Sequence, residues 1–209
     1  LRDASCSVFF QPLHEAGGDF YDVFNAGDHV YDYVVADVSG HDISSSLATA
    51  ALKALLRQNL GLTYSPAESV RIIHRVIRSV LTEGQFLALL YIRLNRAGNT
   101  ISIVNAGQPP VVVILPNGEV RQVGSNSDIL GIFDNTLVES TEIPAPAGQR
   151  VYAFTDGIIP AGTELSPEVC RVFLDAGGEP IEKCAGAVVT SLVGSKTIDD
   201  DILMLAFEV

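Results

Sequence analysis

The strongest constraint on this chain is how closely its β-rich runs follow one another. Phe86–Leu94, Thr100–Asn105, Val111–Leu115 and Glu119–Val123 are short runs of branched, aromatic and other apolar residues. Turns punctuate them at Arg96-Ala97-Gly98-Asn99 and Pro116-Asn117-Gly118. A parallel pair needs a crossover of a dozen or more residues, usually a helix, and these connections are too short to hold one. The spacing therefore predicts hairpins in a mainly antiparallel sheet. Arg150–Thr155 and Ile202–Phe207 predict two more strands, with a helix over Ile181–Val193 between them.

Two helices are predicted early in the chain. The apolar positions Ile43, Leu47, Ala50, Ala51, Ala54 and Leu55 follow the 3.6-residue period, and Asp42 suits the N-cap. Ser65-Pro66-Ala67-Glu68 predicts a second helix start: Ser caps, Pro takes the first turn, and Glu completes a capping box. Val70, Ile73, Ile77, Val80 and Leu81 make its inner face. Arg71, Arg75 and Arg78 form a solvated basic stripe, and His74 reads as a histidine at the edge of the core rather than a ligand. Strands at hairpin spacing with helices grouped early predict an α+β layered fold with helices outside the sheet. A doubly wound parallel sheet would need helices between most strands. Gly17-Gly18 is followed by neither GxGxxG nor GK[ST], so no nucleotide loop is predicted.

Composition narrows the function. With 209 residues, 47% of them hydrophobic, the chain can bury one full core, and no linker-like run divides it; a single domain over 1–209 is expected. The net charge of −12, from 25 acidic against 13 basic side chains, argues against nucleic acid or an anionic membrane as partner. It suits sites that hold cations. Cys6, Cys170 and Cys184 are widely spaced and odd in number, which predicts free thiols in a reducing, cytoplasmic setting. No run of 18 apolar residues is present. Leu1 is not Met, so the chain is expected to be a domain cut from a longer protein.

Four aspartates stand at strand ends. The run Val34-Val35-Ala36-Asp37-Val38-Ser39-Gly40-His41-Asp42 ends an apolar stretch on Asp37. Asp156 leaves a β run before Gly157, Asp200 enters the last strand, and Asp19 enters an early one after Gly17-Gly18. One such Asp is ordinarily a turn residue. Four on neighbouring strands would instead crowd carboxylates together, and bare carboxylates repel or stay protonated. Mg²⁺ or Mn²⁺, which prefer oxygen ligands, would relieve that crowding. Two such cations lower the pKa of a shared water and neutralise a phosphoryl group under in-line attack, with no need of a side-chain nucleophile.

The motifs GGDFYD, ADVSGHD, NAGQPP, FTDG and DDDIL, in that order from about Gly17 to Val209, resemble the PP2C-type metal-dependent serine/threonine phosphatases. The likeness is to the bacterial branch that includes SpoIIE and RsbU. It implies an αββα sandwich and two divalent cations, Mn²⁺ or Mg²⁺, at one end of the two sheets. It implies Asp37 as the bridging ligand, Asp19 and the Val38 carbonyl on one metal, and Asp156 and Asp200 on the other. A shift of one residue would put Asp199 in place of Asp200. Asp22 is expected to support the site or the fold. His41 has two readings: a general acid for the leaving serine oxygen, or a residue that organises the turn.

The sequence departs from the family pattern at supporting positions: Asp42 for Gly, Gln108 for His, Ala88 for Thr, Pro160 for Glu, and Leu203 (Ile202 in the other register) for Thr. None removes an expected ligand, although such positions can change metal affinity ~10–100-fold. Two functions follow. One is hydrolysis of phosphoserine or phosphothreonine on a regulatory protein, by resemblance a STAS-type anti-sigma-factor antagonist, under an N-terminal sensor or receiver domain. The other is a weakened or silent relative that grips such a partner as a switch or adaptor.

Overall fold

The hydrophobic alternation resolves into two antiparallel sheets packed face to face. The computed structural model describes residues 5–14, 17–40, 43–58, 62–194 and 198–209, with the backbone alone at 43, 44 and 46. In chain order the elements are β1 (Cys6–Gln11), β2 (Asp19–Gly27), β3 (Val30–Val38), α1 (Ile43–Gln58), α2 (Pro66–Ile77), β4 (Leu87–Asn95), β5 (Thr100–Ala106), β6 (Val111–Ile114), β7 (Val120–Val123), β8 (Thr141–Pro144), β9 (Arg150–Phe154), α3 (Pro167–Ala176), α4 (Ile181–Leu192) and β10 (Ile202–Glu208). The strand orders are β1-β10-β9-β6-β7 and β2-β3-β4-β5-β8. Every pairing of these strands is antiparallel.

Three apolar layers result, because alternate residues of each strand face opposite ways. The central one, between the sheets, includes Tyr33, Val35, Ile92, Val113, Leu203 and Phe207. There the Tyr33 and Phe207 rings stack with centroids 3.9 Å apart. The outer face of the second sheet packs against α1 and α2, and the outer face of the first against α3 and α4. This is the expected αββα sandwich.

The capping box of α2 forms as predicted: the Glu68 backbone N–H donates to Ser65 Oγ, and the Ser65 N–H donates to the Glu68 carboxylate at 2.8 Å. His74 is buried, accepts from the Gly131 N–H at 3.3 Å and contacts Thr136 Oγ1 at 3.0 Å, so it anchors a loop. The predicted inner face of α1 is corrected. Ala48, Leu52 and Leu56 are buried, whereas Leu47 is 66% exposed and Ala50 and Ala54 face solvent. Small and apolar residues surround much of this helix, so its sequence barely distinguishes one face from the next. The Asp42 cap lies outside the described residues.

Two polar contacts fix the second sheet against its helices. Asp22 faces away from the sheet interface and accepts from Arg57 of α1, with Nη2–Oδ2 at 3.0 Å. Beneath the approach to α2, Arg93 grips the fully buried Asp32 in bidentate fashion, at 2.7 and 2.8 Å. Tyr91 donates to the same carboxylate at 2.6 Å, and Arg93 Nη1 donates to the Tyr64 carbonyl at 2.8 Å.

Candidate metal centre

The register of β2 on β3 sets Asp19 directly opposite Asp37, and Asp37 in turn opposite Ala88 of β4. Directly opposed residues share a face, so both carboxylates lie on the side that meets the other sheet. Thr155, just beyond β9, reaches across. Its Oγ1 donates to Asp19 Oδ2 at 2.8 Å and accepts from the Leu203 N–H at 3.3 Å, while its own N–H donates to the Leu203 carbonyl at 3.1 Å. Thr155 is fully buried. One hydroxyl thus ties the start of β2 to both β9 and β10, and brings Asp19 to the end of the sandwich where Asp156 and Asp200 stand.

Glycines make room at this end. A Cβ on Gly18 would lie 2.2 Å from the Val38 carbonyl oxygen, 2.8 Å from Asp37 Oδ1 and 3.0 Å from the Gly40 carbonyl oxygen. Three oxygens therefore converge on one point that only glycine leaves open. A Cβ on Gly17 would lie 2.2 Å from Asp201 Oδ2, and one on Gly157 2.0 Å from the Asp201 carbonyl oxygen and 3.5 Å from the Asp200 Cβ.

Asp201 is the residue that sequence reasoning missed. It is buried, and its carboxylate accepts from the Leu13 N–H at 2.7 Å and the Asp19 N–H at 3.4 Å. It holds the connection into β2 in place. Asp200 and Asp199 are exposed; Asp200 Oδ1 accepts from the Asp201 N–H at 2.8 Å. A period-2 reading of the last strand carries the signal: counting back from Leu203, which faces the central layer, puts Asp201 on the inward face. His41 lies outside the described residues.

The acids act on one another strongly. Burial pushes the Asp19 carboxyl up to about 8, with Asp37 next among the causes, then Asp201 and Asp200; only the Thr155 hydroxyl opposes them. Burial likewise pushes Asp37 up to about 7, helped by Asp156, Asp200 and Asp201. Asp156 is raised by burial and by Asp200, against backbone N–H groups of Asp156 and Gly157. No lysine or arginine is among the groups that set these three. The side chains do not close a cage: among the described residues no three acids, histidines or cysteines stand in metal-ligating geometry. Among the described residues, the structure gathers oxygen atoms at this end of the sandwich: the Asp37 carboxylate and the Val38 and Gly40 carbonyls around Gly18, and the Asp19 carboxylate on Thr155. That chemistry fits Mg²⁺ or Mn²⁺.

Two of the altered positions, Gln108 and Leu203, are filled by structural contacts. Gln108 is buried and donates from Nε2 to the Ala88 carbonyl at 3.1 Å, and its N–H donates to Asn105 Oδ1 at 3.0 Å. Leu203 is fully buried in the central layer.

The family described as Stage II sporulation protein E (SpoIIE) matches residues 27–209. Phosphoserine phosphatase RsbP of Bacillus subtilis (strain 168) is 24% identical over 205 residues, covering 94% of this chain and 50% of that protein. Protein IcfG of Synechocystis is 21% identical, covering 99% of this chain and 38% of that protein. The chain thus spans half or less of the curated relatives it matches. Among solved structures, the SiaA-PP2C domain of Pseudomonas aeruginosa superimposes with a TM-score of 0.81 at 23% identity, covering 98% of this chain and 85% of that one. The catalytic domain of the phosphatase PstP, solved with two manganese ions, gives a TM-score of 0.70 at 17% identity, covering 96% of each chain.

Proposed function

The chain belongs to the SpoIIE family of PP2C-type domains, and from that membership we propose that it is a divalent-cation-dependent serine/threonine protein phosphatase. The observation that carries the proposal is the crowding of acids around the Asp19–Thr155 clasp, where no described lysine or arginine offsets the raised Asp19, Asp37 and Asp156. Asp37 would bridge two cations, Asp19 and the Val38 carbonyl would complete one set of ligands, and Asp156 and Asp200 the other. When bound, the two cations would supply an activated water and neutralise the phosphoryl oxygens.

The chain's own residues do the rest. Thr155 fixes the rotamer of Asp19, and Asp201 fixes the backbone that carries it. Gly17 and Gly18 let the backbone lie against Asp201, Asp37 and the Val38 carbonyl, where any Cβ would clash. At neutral pH Asp19, raised to about 8, and in part Asp37, raised to about 7, would hold protons; cation uptake would release them, and affinity would rise with pH.

The protein substrate is proposed to be a phosphorylated regulator of the anti-sigma-factor-antagonist type, with a sensor or receiver domain in the remainder of a longer chain. Support comes from the likeness to RsbP, a phosphoserine phosphatase. One observation favours a second reading, a partner-gripping adaptor: the amide of Gln108 is spent on the Ala88 carbonyl and does not reach the acids. Phosphate release from a phosphoserine peptide and a chromogenic ester, with Mn²⁺ and with EDTA, tests the choice. Mn²⁺-dependent turnover supports the enzyme; Mn²⁺ binding without turnover supports the adaptor.

A further inference from the structure

Beside the acid cluster, two partly exposed aromatic rings stand on the edge strands of the two sheets, as the described residues order them. Phe10 lies on β1 and Tyr21 on β2, and each strand is the outermost of its sheet. Their rings meet edge to face with centroids 6.2 Å apart. Alternation places Tyr21 on the same face as Asp19 and Val23, and Phe10 on the same face as Val8 and Cys6. Val23, Val8 and Cys6 pack into the central layer, so both rings sit at the mouth of the inter-sheet space. A plug for that mouth would bury its rings, yet Phe10 is 42% and Tyr21 38% exposed. Free edges are ordinarily guarded by charge or proline rather than by bare rings.

The location links the pair to the acids. Tyr21 follows Asp19 by two residues, about 7 Å along the strand. Phe10 precedes by three residues Leu13, whose N–H is held by Asp201. Resting on the phosphatase reading, we propose that Phe10 and Tyr21 form a shelf that takes an apolar side chain of the phosphoprotein substrate, two or three residues from the phosphorylated serine. An extended peptide advances about 3.3 Å per residue, so a side chain at that separation spans the gap between the acids and the rings. The rings hold and orient the peptide and take no part in the chemistry.

The test uses phosphoserine peptides of neutral background carrying leucine at successive positions on either side of the phosphoserine. Turnover with Mn²⁺ is compared with that of para-nitrophenyl phosphate, and peptide affinity is measured separately by fluorescence anisotropy. Leucine two or three residues away on one side should raise kcat/KM about tenfold over serine, through KM. It should tighten binding by a similar factor. In Tyr21→Ser and in Phe10→Ser/Tyr21→Ser, the ratio of peptide to ester kcat/KM should fall about tenfold and the leucine preference should vanish. A wild type indifferent to leucine in the anisotropy assay, or a preference that survives in both variants, overturns the shelf. Absence of Mn²⁺-dependent ester hydrolysis would instead overturn the phosphatase reading, and the binding assay would still decide the shelf.

Discussion

Replacing Asp37 with Asn separates what the acid cluster costs the fold from what it supplies to cation binding. The carboxyl stands at about 7 against an ordinary 3.8, a rise of about 3 units. Each unit is about 1.36 kcal/mol, so keeping Asp37 ionised in the metal-free fold costs up to about 4 kcal/mol. Solvent at this half-buried position and relaxation of the neighbouring acids reduce that to about 2 kcal/mol. The sign follows from the raised value. Below about pH 3 the group is protonated in folded and unfolded chains alike and costs nothing. Between about 4 and 7 the unfolded chain gives up its proton first, so wild-type stability falls as pH rises. Asn does not titrate, and its removal of charge also relieves Asp19. In EDTA, Asp37→Asn should therefore match wild type at about pH 3 and exceed it by about 2 kcal/mol at pH 8. Saturating Mn²⁺ should reverse the order: at a hundredfold excess over Kd wild type gains about 2.7 kcal/mol. Asp37→Asn, without its bridge, should gain little and should lose ~10³-fold or more in turnover. Urea unfolding across pH, with EDTA and with Mn²⁺, reads all of this. A variant less stable than wild type in EDTA at pH 8, or an equal Mn²⁺ gain in both proteins, would refute the reasoning.

Other positions make simpler demands. Thr155→Val leaves the buried Leu203 N–H and the Asp19 carboxylate without their hydroxyl; unfolding should show a loss of about 1–3 kcal/mol, and calorimetry a drop in Mn²⁺ affinity of ~10–100-fold. Arg93→Leu strands the Asp32 carboxylate in the core and should cost about 3–5 kcal/mol in urea unfolding, whereas Asp32→Leu/Arg93→Leu should cost clearly less. The three cysteines are free, with Cys184 buried and Cys6 and Cys170 half-buried. Thiol titration without reductant should find Cys6 and Cys170 reacting in the folded protein and Cys184 only on unfolding; a count of one in denaturant would reveal a disulfide.

The layered α+β architecture was legible because it is written in local signals. Hairpin-length connections force antiparallel pairing, and the Ser65-Pro66-Ala67-Glu68 box starts α2 where it stands. The same Ser-Pro-x-x logic starts α3 at Ser166-Pro167, where the Ser166 side chain accepts from the Val169 N–H. Strands β1 and β8 are less legible, since an edge strand has one partner and weak alternation. β8 has only four residues, which leaves little room for a pattern.

Acids at strand ends also show in the sequence, because turn chemistry and glycines mark those ends. Which acid looks inward does not show in a run such as Asp199-Asp200-Asp201. Three neighbours of one type carry no contrast, and the choice falls to the β10 register against β9, which turns Asp201 under the Gly17 backbone and leaves Asp200 facing the rim. Helix α1 repeats the lesson. With alanine, serine and leucine on most of its surface, burial of Ala48 and Leu52 rather than Leu47 is decided by the sheet it lies on, to which Arg57 is also joined through Asp22. Only the tertiary structure could tie Asp19 to Thr155, residues 136 positions apart. No local period encodes a contact made when two sheets close on each other.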